Sequence, residues 1–337
     1  MTRKERSIAL LCGIFALFVG VGSVSAAEPA EKPVKLTIAS FQIGSTWYVY
    51  SVSLGRILKG VLPEGSTIDT PPLGGGGANT RLIEGGKATI GFSHALANQW
   101  AREGKVAYDK PMPRLRGLVG GLDTYYLAVI ASGKNVGPDL EKYFKQDKPG
   151  AHVDLNPPGS MATYAGQLEL GLAGVTEAEL KKHGGGMNLV PASVIRDDIT
   201  GGRADAFVNI VTVGHPLTTQ ITQVHDVTFL QPSKTLLQQM HDKYGFGTAV
   251  LPKGSFRGQD QDITLPSTVT TLIARDDMPD WLAYAITKAV CEHVEQLVAA
   301  TKAIKDFKPE DAWRPEGINL PLHPGAARYY RERGWLK

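Results

Sequence analysis

The sequence contains very little cysteine: two residues in a chain of 337, Cys12 and Cys291. So few thiols can form neither a disulfide framework nor a sulfur-rich metal site. An excess of charge of either sign is also lacking, because 36 Lys and Arg are balanced by 33 Asp and Glu. That balance argues against a nucleic-acid-binding surface, and the 42% of hydrophobic residues argues against disorder.

Long apolar runs are absent except for one at the N-terminus. A basic start at Arg3–Arg6 precedes an uncharged stretch, Ser7–Val21, which is followed by the small residues Ser25-Ala26-Ala27. This pattern predicts a secretory signal peptide at residues 1–27. An uncleaved anchor would need about 20 apolar residues. We therefore expect a protein that is exported to the periplasm and is soluble there after cleavage.

Short strands alternate with helices along the rest of the chain. The first unit is a strand at Leu36–Ser40, a turn, and a helix that ends at Gly60. A later unit has a turn at Ser93-His94, and a long helix is expected from Pro279 to about Ile304. Such alternation predicts an α/β fold, with parallel-rich sheets covered by helices on both faces.

Four turns between a strand and a helix share one composition, a Gly followed by a capping residue or by Pro. They are Gly44-Ser45-Thr46, Gly74 to Gly77, Pro158-Gly159-Ser160 and Gly214-His215-Pro216. Each exposes helix N-terminal amides, which carry partial positive charge and can hold a small anion without Arg or Lys. Ordinary helix capping is the better explanation of any single turn, whereas four such turns in one exported chain leave the two explanations nearly equal. For His94 and His215, at turn positions, ligand contact and a structural hydrogen bond both remain open.

Enzyme signatures are missing from the sequence. The glycine run at 74–77 lacks the Lys of a phosphate loop and the spacing of a dinucleotide fingerprint. His183-Gly184-Gly185-Gly186 is similar to a lipase oxyanion loop, but no Gly-x-Ser-x-Gly elbow accompanies it. No His-Glu-x-x-His motif occurs. We expect no catalytic residue, no metal site and no cofactor.

Several short motifs occur in the order found in one family. They are the Gly86–Phe92 segment that ends a first α/β region, Asn156-Pro-Pro-Gly-Ser160, Ala204-Asp-Ala-Phe207, Leu251 to Asp260, and Leu322-His-Pro-Gly-Ala326. Together they resemble the TAXI-family solute receptors of TRAP transporters, which are periplasmic binding proteins of the type II fold. The resemblance implies two lobes, each a mixed sheet flanked by helices, with a ligand cleft between them. We place lobe I at 28–132 plus 267–337 and lobe II at 133–266.

The resemblance also implies where a ligand would bind. The positions that match the family's binding turns are Ser45, Thr46, Tyr48, Gly74, Gly75, Asn79, Pro158, Gly159 and Ser160. We add Trp47, whose indole could stack on a planar ligand and donate its N–H, although core packing is an equal alternative for Trp47 and Tyr48. Asn209 is added at the end of a second-lobe strand. Ser93 and His94 stand where the family has Gln-Ser-Asp, and bulky Phe41 replaces a small residue. We therefore expect the ligand selectivity of this pocket to differ from that of the family.

The implied function is capture of a small organic anion between the lobes and delivery to the membrane permease subunits of a TRAP-type transporter. Dicarboxylates, 2-oxo acids and glutamate-like carboxylates are the expected ligands, and the receptor is expected to be a monomer that does not bind nucleic acid. A binding protein of an ABC transporter and a sensory receptor remain alternatives. An exported hydrolase or transferase would need a nucleophile, a base and an orienting group in one cleft, and the sequence offers no such set.

Overall fold

The computed structural model describes residues 32–72 and 74–337. The predicted signal peptide, residues 1–27, lies outside the described residues. Within the described ranges, no helix combines the length and the apolar composition needed to cross a membrane. Pro33–Lys337 packs as one unit. The division into lobe I (28–132 plus 267–337) and lobe II (133–266) therefore stays a prediction.

The described residues contain eleven strands and thirteen α-helices. The strands are β1 (Lys35–Ala39), β2 (Thr67–Asp69), β3 (Ile90–His94), β4 (Leu115–Val119), β5 (Thr124–Ser132), β6 (His152–Leu155), β7 (Gly186–Leu189), β8 (Ala206–Val211), β9 (Val227–Phe229), β10 (Gly247–Leu251) and β11 (Ile263–Arg275). The helices are α1 (Thr46–Val61), α2 (Gly76–Glu84), α3 (Ala95–Glu103), α4 (Leu140–Lys142), α5 (Met161–Leu172), α6 (Glu177–Lys182), α7 (Ala192–Thr200), α8 (Pro216–Val224), α9 (Lys234–Tyr244), α10 (Asp280–Glu292), α11 (Val294–Ala300), α12 (Pro315–Ile318) and α13 (Pro324–Glu332).

The strands form one mixed sheet in the order β2-β1-β3-β11-β5-β8-β6-β7, with β4 and β10 paired to β11 and β9 paired to β5. Strands β2, β1 and β3 are mutually parallel, and so are β8, β6 and β7. The two parallel sets are joined by β11 and β5, which run antiparallel to their neighbours. The predicted α/β organisation is confirmed, and two antiparallel strands at the centre make the sheet mixed.

The first helix shows why the sequence folds as it does around these strands. Trp47, Tyr50, Leu54 and Leu58 follow one another at spacings of three or four residues, so they share one face of α1, and all four are buried. Ser45 ends the preceding turn and caps the helix by accepting a hydrogen bond from the Tyr48 N–H. Packing of the apolar face against the sheet fixes where the N-terminus of α1 lies.

Two local predictions were wrong. Ser93 and His94 are not a turn but the last residues of β3, because they pair with Thr271 and Thr270 of β11, and α3 begins directly afterwards. The long helix expected over 279–304 is divided at His293, between α10 and α11. The ring Nδ1 of His293 donates to the carbonyl of Ala289, the acceptor that the His293 backbone N–H would use in a continuous helix.

Candidate ligand-binding site

A small buried cavity lies where α1, α2, α5 and α8 begin. Its volume is about 30 Å³, and its walls are formed by Phe41, Ser45, Trp47, Gly76, His94, Tyr125, Ser160, Met161, Ala162, Asn209, Ile210 and His215. Half of these residues belong to the segment predicted as lobe I and half to the segment predicted as lobe II. The cavity thus lies where the sequence predicts the cleft.

All four predicted Gly-containing turns contribute to this cavity. Ser45 accepts from the Tyr48 N–H at 3.2 Å at the start of α1, and Ser160 accepts from the Ala162 N–H at 3.2 Å at the start of α5. Helix α8 begins with Pro216 directly after His215. The first amides of a helix have no acceptor within it and carry the positive end of the helix dipole. Four partially positive helix ends therefore meet at one cavity.

The first turns of α2 and α5 lie so close together that α2 has room only for glycine. A Cβ atom on Gly76 would lie 2.8 Å from Cβ of Met161 and 2.9 Å from Cδ2 of His94. On Gly77 it would lie 3.0 Å from the carbonyl oxygen of Gly159. Real Cβ atoms do not approach other heavy atoms so closely, so the glycine run permits this backbone-to-backbone contact.

Two buried histidines that line the cavity each have one nitrogen without a hydrogen-bond partner in the described residues. His94 and His215 are 3% and 6% exposed, and the Nδ1 atom of each has no hydrogen-bond partner within 32–72 and 74–337. Burial lowers the pKa of His94 to about 3 and that of His215 to about 4, so both rings are neutral at neutral pH. A buried polar atom without a partner is costly, and a hydrogen bond from a ligand would remove that cost.

Aromatic rings form one wall of the cavity. The ring centroids of Trp47 and His94 are 4.5 Å apart, and those of His94 and Tyr125 are 4.9 Å apart in an edge-to-face arrangement. The indole N–H of Trp47 donates to Oγ1 of Thr270 at 3.0 Å. The expectation that this N–H donates to a ligand is therefore corrected, because the protein already uses it. What Trp47 presents to the cavity is ring surface.

Two side-chain hydrogen bonds beside the cavity connect the predicted lobe I with the predicted lobe II, and a third extends one of them within lobe II. Gln42 Nε2 donates to Asn156 Oδ1 at 3.2 Å, and Asn156 Nδ2 donates to Asn209 Oδ1 at 3.1 Å. The hydroxyl groups of Thr46 and Thr212 are 3.3 Å apart. These contacts hold the two sides of the cavity together without any ion pair.

Part of the predicted site lies at the cavity and part does not. The wall includes Ser45, Trp47, His94, Ser160 and Asn209. Eight further predicted residues are not part of it: Thr46, Tyr48, Gly74, Gly75, Asn79, Ser93, Pro158 and Gly159. Ligand binding by any of the thirteen stays a prediction.

Asn79 illustrates why a residue in a matched motif need not be part of the wall. Its Oδ1 accepts from the Gly75 N–H at 3.0 Å, and its Nδ2 donates to the carbonyls of Ser40 at 2.7 Å and Phe92 at 2.8 Å. The side chain is fully buried. With its amide oxygen and nitrogen both engaged by backbone, Asn79 holds the glycine turn in place for α2.

Several residues of the cavity wall were not among the predicted site residues. Gly76, Met161 and Ala162 directly follow positions that were predicted, so extending each turn into the first turn of its helix would have found them. Tyr125 and Ile210 lie within β5 and β8 and reach the cavity only through strand pairing, for which the sequence has no local signal. Phe41 was noted for its size, and His215 was left open; both line the cavity.

Comparison with known proteins places the chain in a family. The model of the NMT1-like family matches residues 38–334. MatC from Rhodopseudomonas palustris, solved with bound malate, superposes with a TM-score of 0.55 and 14% identity, covering 89% of this chain and 98% of MatC. The periplasmic binding protein BugD gives a TM-score of 0.49 and 15% identity, covering 90% of this chain and 95% of BugD. The chain belongs to the NMT1-like family, and its fold is the mixed α/β fold of type II periplasmic binding proteins.

Proposed function

We propose that this protein is a periplasmic solute receptor of the TAXI type. It captures a small organic carboxylate in the cavity between its two predicted lobes and delivers it to the permease subunits of a TRAP-type transporter. It acts as a monomer and catalyses no reaction. The observation that carries the proposal is the meeting of four helix N-termini at one cavity, whose wall also includes two buried histidines that each have an unpartnered nitrogen.

The chemistry of the walls supports an anionic ligand. A helix N-terminus carries roughly half a positive charge and presents free N–H donors, so several such ends stabilise a carboxylate without a cationic side chain. Ser45, Ser160 and Asn209 add neutral polar groups. The malate bound to MatC is a ligand of this chemical class, although the two chains share only 14% identity.

A cavity of about 30 Å³ accommodates one or two water molecules, not a carboxylic acid of several carbon atoms. Ligand entry therefore requires the first turns of α2 and α5 to move apart. Hinge motion at the segments that connect the predicted lobes would open the cavity, and a ligand that contacts both sides would favour the closed form. The permease would then recognise the closed form.

Thermal unfolding tests this function directly. The mature chain from residue 28 onward is denatured, freed of carried-over ligand and refolded, and its melting temperature is measured against dicarboxylates, 2-oxo acids, amino acids, aromatic acids, sulfonates and phosphate. A true ligand at 100 times its dissociation constant should raise the melting temperature by about 4 °C or more. The proposal fails if no anion shifts the transition.

The transporter type needs a separate experiment. Membrane vesicles prepared from cells that produce this protein are supplied with the loaded receptor. Uptake that follows an imposed ion gradient without ATP supports a TRAP-type partner. Uptake that requires ATP hydrolysis assigns the receptor to an ABC transporter instead.

A further inference from the structure

We infer that the ligand of this cavity carries no ammonium group, so that the receptor takes a 2-oxo or 2-hydroxy acid and rejects the amino acid with the same carbon skeleton. The inference rests on the proposed function and narrows its ligand class. It separates two kinds of ligand that the sequence leaves equally open, the oxo acids and glutamate.

The first ground is the charge of the walls. None of the residues that line the cavity in the described part of the chain is Asp or Glu. An amino acid brings a positive ammonium group together with its carboxylate. Burying that group away from water without a negative partner is unfavourable, and a carboxylate in the wall is the most direct way to offset it.

The second ground is the polarity of the helix ends. The cavity is ringed by the N-termini of α1, α2, α5 and α8, each of which has nine or more residues. All four present the positive end of a helix dipole. These ends attract a carboxylate and repel an ammonium group, so the same walls that favour one half of an amino acid oppose the other half.

The third ground is the state of the two buried histidines. Each has an Nδ1 atom without a partner, and a neutral imidazole has one donor and one acceptor nitrogen. A carbonyl oxygen at C2 of a ligand accepts from such a ring, and a hydroxyl group there can also donate to it. Both rings are neutral, so neither supplies the negative charge that an ammonium group needs, whereas an uncharged oxygen substituent needs none.

Matched pairs of ligands test the inference by thermal unfolding and by titration calorimetry. The pairs are 2-oxoglutarate with glutamate, oxaloacetate and malate with aspartate, pyruvate and lactate with alanine, and phenylpyruvate with phenylalanine. We expect a shift for the oxo or hydroxy member of at least one pair and an affinity at least tenfold weaker for its amino counterpart. An amino acid that binds as well as or better than its partner overturns the inference and leaves the receptor function intact. No binding by any member also overturns the inference, and the wider anion panel then decides the receptor function separately.

A substitution at the cavity gives an independent test. Asn209 uses its Oδ1 to accept from Asn156 Nδ2 and from the Ile210 N–H, and Asn209→Asp preserves an oxygen at that position while adding a carboxylate. The variant should lower the ratio of affinities for the oxo acid over the amino acid by about tenfold or more. Asn135→Asp, at an exposed position, adds the same charge away from the cavity and should leave the ratio unchanged. An unchanged ratio in Asn209→Asp with intact folding contradicts the inference.

Discussion

The indole N–H of Trp47 donates a hydrogen bond of 3.0 Å to Oγ1 of Thr270. Trp47 lines the cavity, whereas Thr270 lies within β11, one of the two central strands that join the parallel sets of the sheet. The backbone N–H of Thr270 in turn donates to the carboxylate of Asp123, which also accepts from the hydroxyl group of Tyr50. A continuous set of hydrogen bonds thus connects the cavity wall with the start of β5.

We expect Thr270→Val to destabilise the protein by about 1–3 kcal/mol, because the buried indole N–H loses its acceptor. Affinity for the acid identified by the panel should also fall, since Trp47 is no longer held against the cavity. Thr287→Val is the matched control. Thr287 is equally buried but its hydroxyl group has no partner in the described residues, so its replacement should leave stability unchanged or raise it. Equal losses of stability and of affinity in the two variants would contradict a role for the Trp47–Thr270 hydrogen bond.

Gly76→Ala should weaken ligand binding without unfolding the protein. An alanine methyl group there would press against Met161 and His94, which keeps α2 and α5 apart. Alanine is otherwise favoured over glycine in a helix by about 1 kcal/mol, so the melting temperature without ligand should not fall. The control is Gly60→Ala in α1, where an added Cβ meets nothing within 4 Å. Calorimetric titration of both variants compares their affinities, and wild-type affinity in Gly76→Ala would rule out the tight contact as the closed form.

Ser160→Ala and Ser233→Ala form a second matched pair. Both serines are helix N-caps, Ser160 for α5 and Ser233 for α9, so each substitution should cost about 1 kcal/mol of stability. Ser160 lines the cavity and Ser233 does not. Denaturant unfolding should show similar losses of stability in the two variants. Ligand titration should show weaker binding for Ser160→Ala alone. Similar affinities in the two variants would remove Ser160 from the binding site.

Glu169 makes the stability of the fold depend on pH. It is fully buried in α5, neither carboxylate oxygen has a partner among the described residues, and burial raises its pKa to about 8. Because the pKa is higher in the folded than in the unfolded protein, the folded state holds a proton that the unfolded state releases. The stabilisation that this bound proton provides is complete below about pH 4.5 and is lost as pH rises towards 8. The free energy of unfolding falls by about 3 kcal/mol by pH 7.

Glu169→Gln removes this titration and should make the protein more stable than wild type at pH 8, with a smaller difference at pH 5. Denaturant midpoints measured across this range provide the comparison. Glu64→Gln, at an exposed position, should follow the wild-type profile. A wild-type pH profile retained in Glu169→Gln would show that this carboxyl group is not the cause.

Local patterns in the sequence were sufficient for the elements that carry the site. Helices α1, α5 and α8 begin at turns that were predicted, because Ser45 and Ser160 cap the first two and Pro216 begins the third. The contacts between these elements were not predictable. The position of Tyr125 beside His94 depends on the pairing of β5 and β3 with β11, residues that are far apart along the chain.

The turn at 74–77 shows the same limit of prediction from local sequence. The turn at 74–77 was predicted to expose amides to a ligand, and the cavity does begin at Gly76. Asn79 belongs to the same turn, but its amide group is engaged by the backbone of Ser40 and Phe92. A polar residue in a turn is compatible with either role, and only the positions of the neighbouring carbonyls decide between them.

Strand β11 also determines when this protein can fold. It pairs Ala274 with Ile90, across more than half the length of the chain, and its N-terminal half pairs with β10 and β5. The parallel set of β2, β1 and β3 lacks its neighbour β11, and β5 lacks its connection to that set, until a ribosome has synthesised residues 263–275. Contacts of such long range form slowly, so the nascent chain remains without a completed sheet during most of its synthesis. For a protein with a predicted export signal, this delay leaves time for the unfolded chain to be threaded across the membrane.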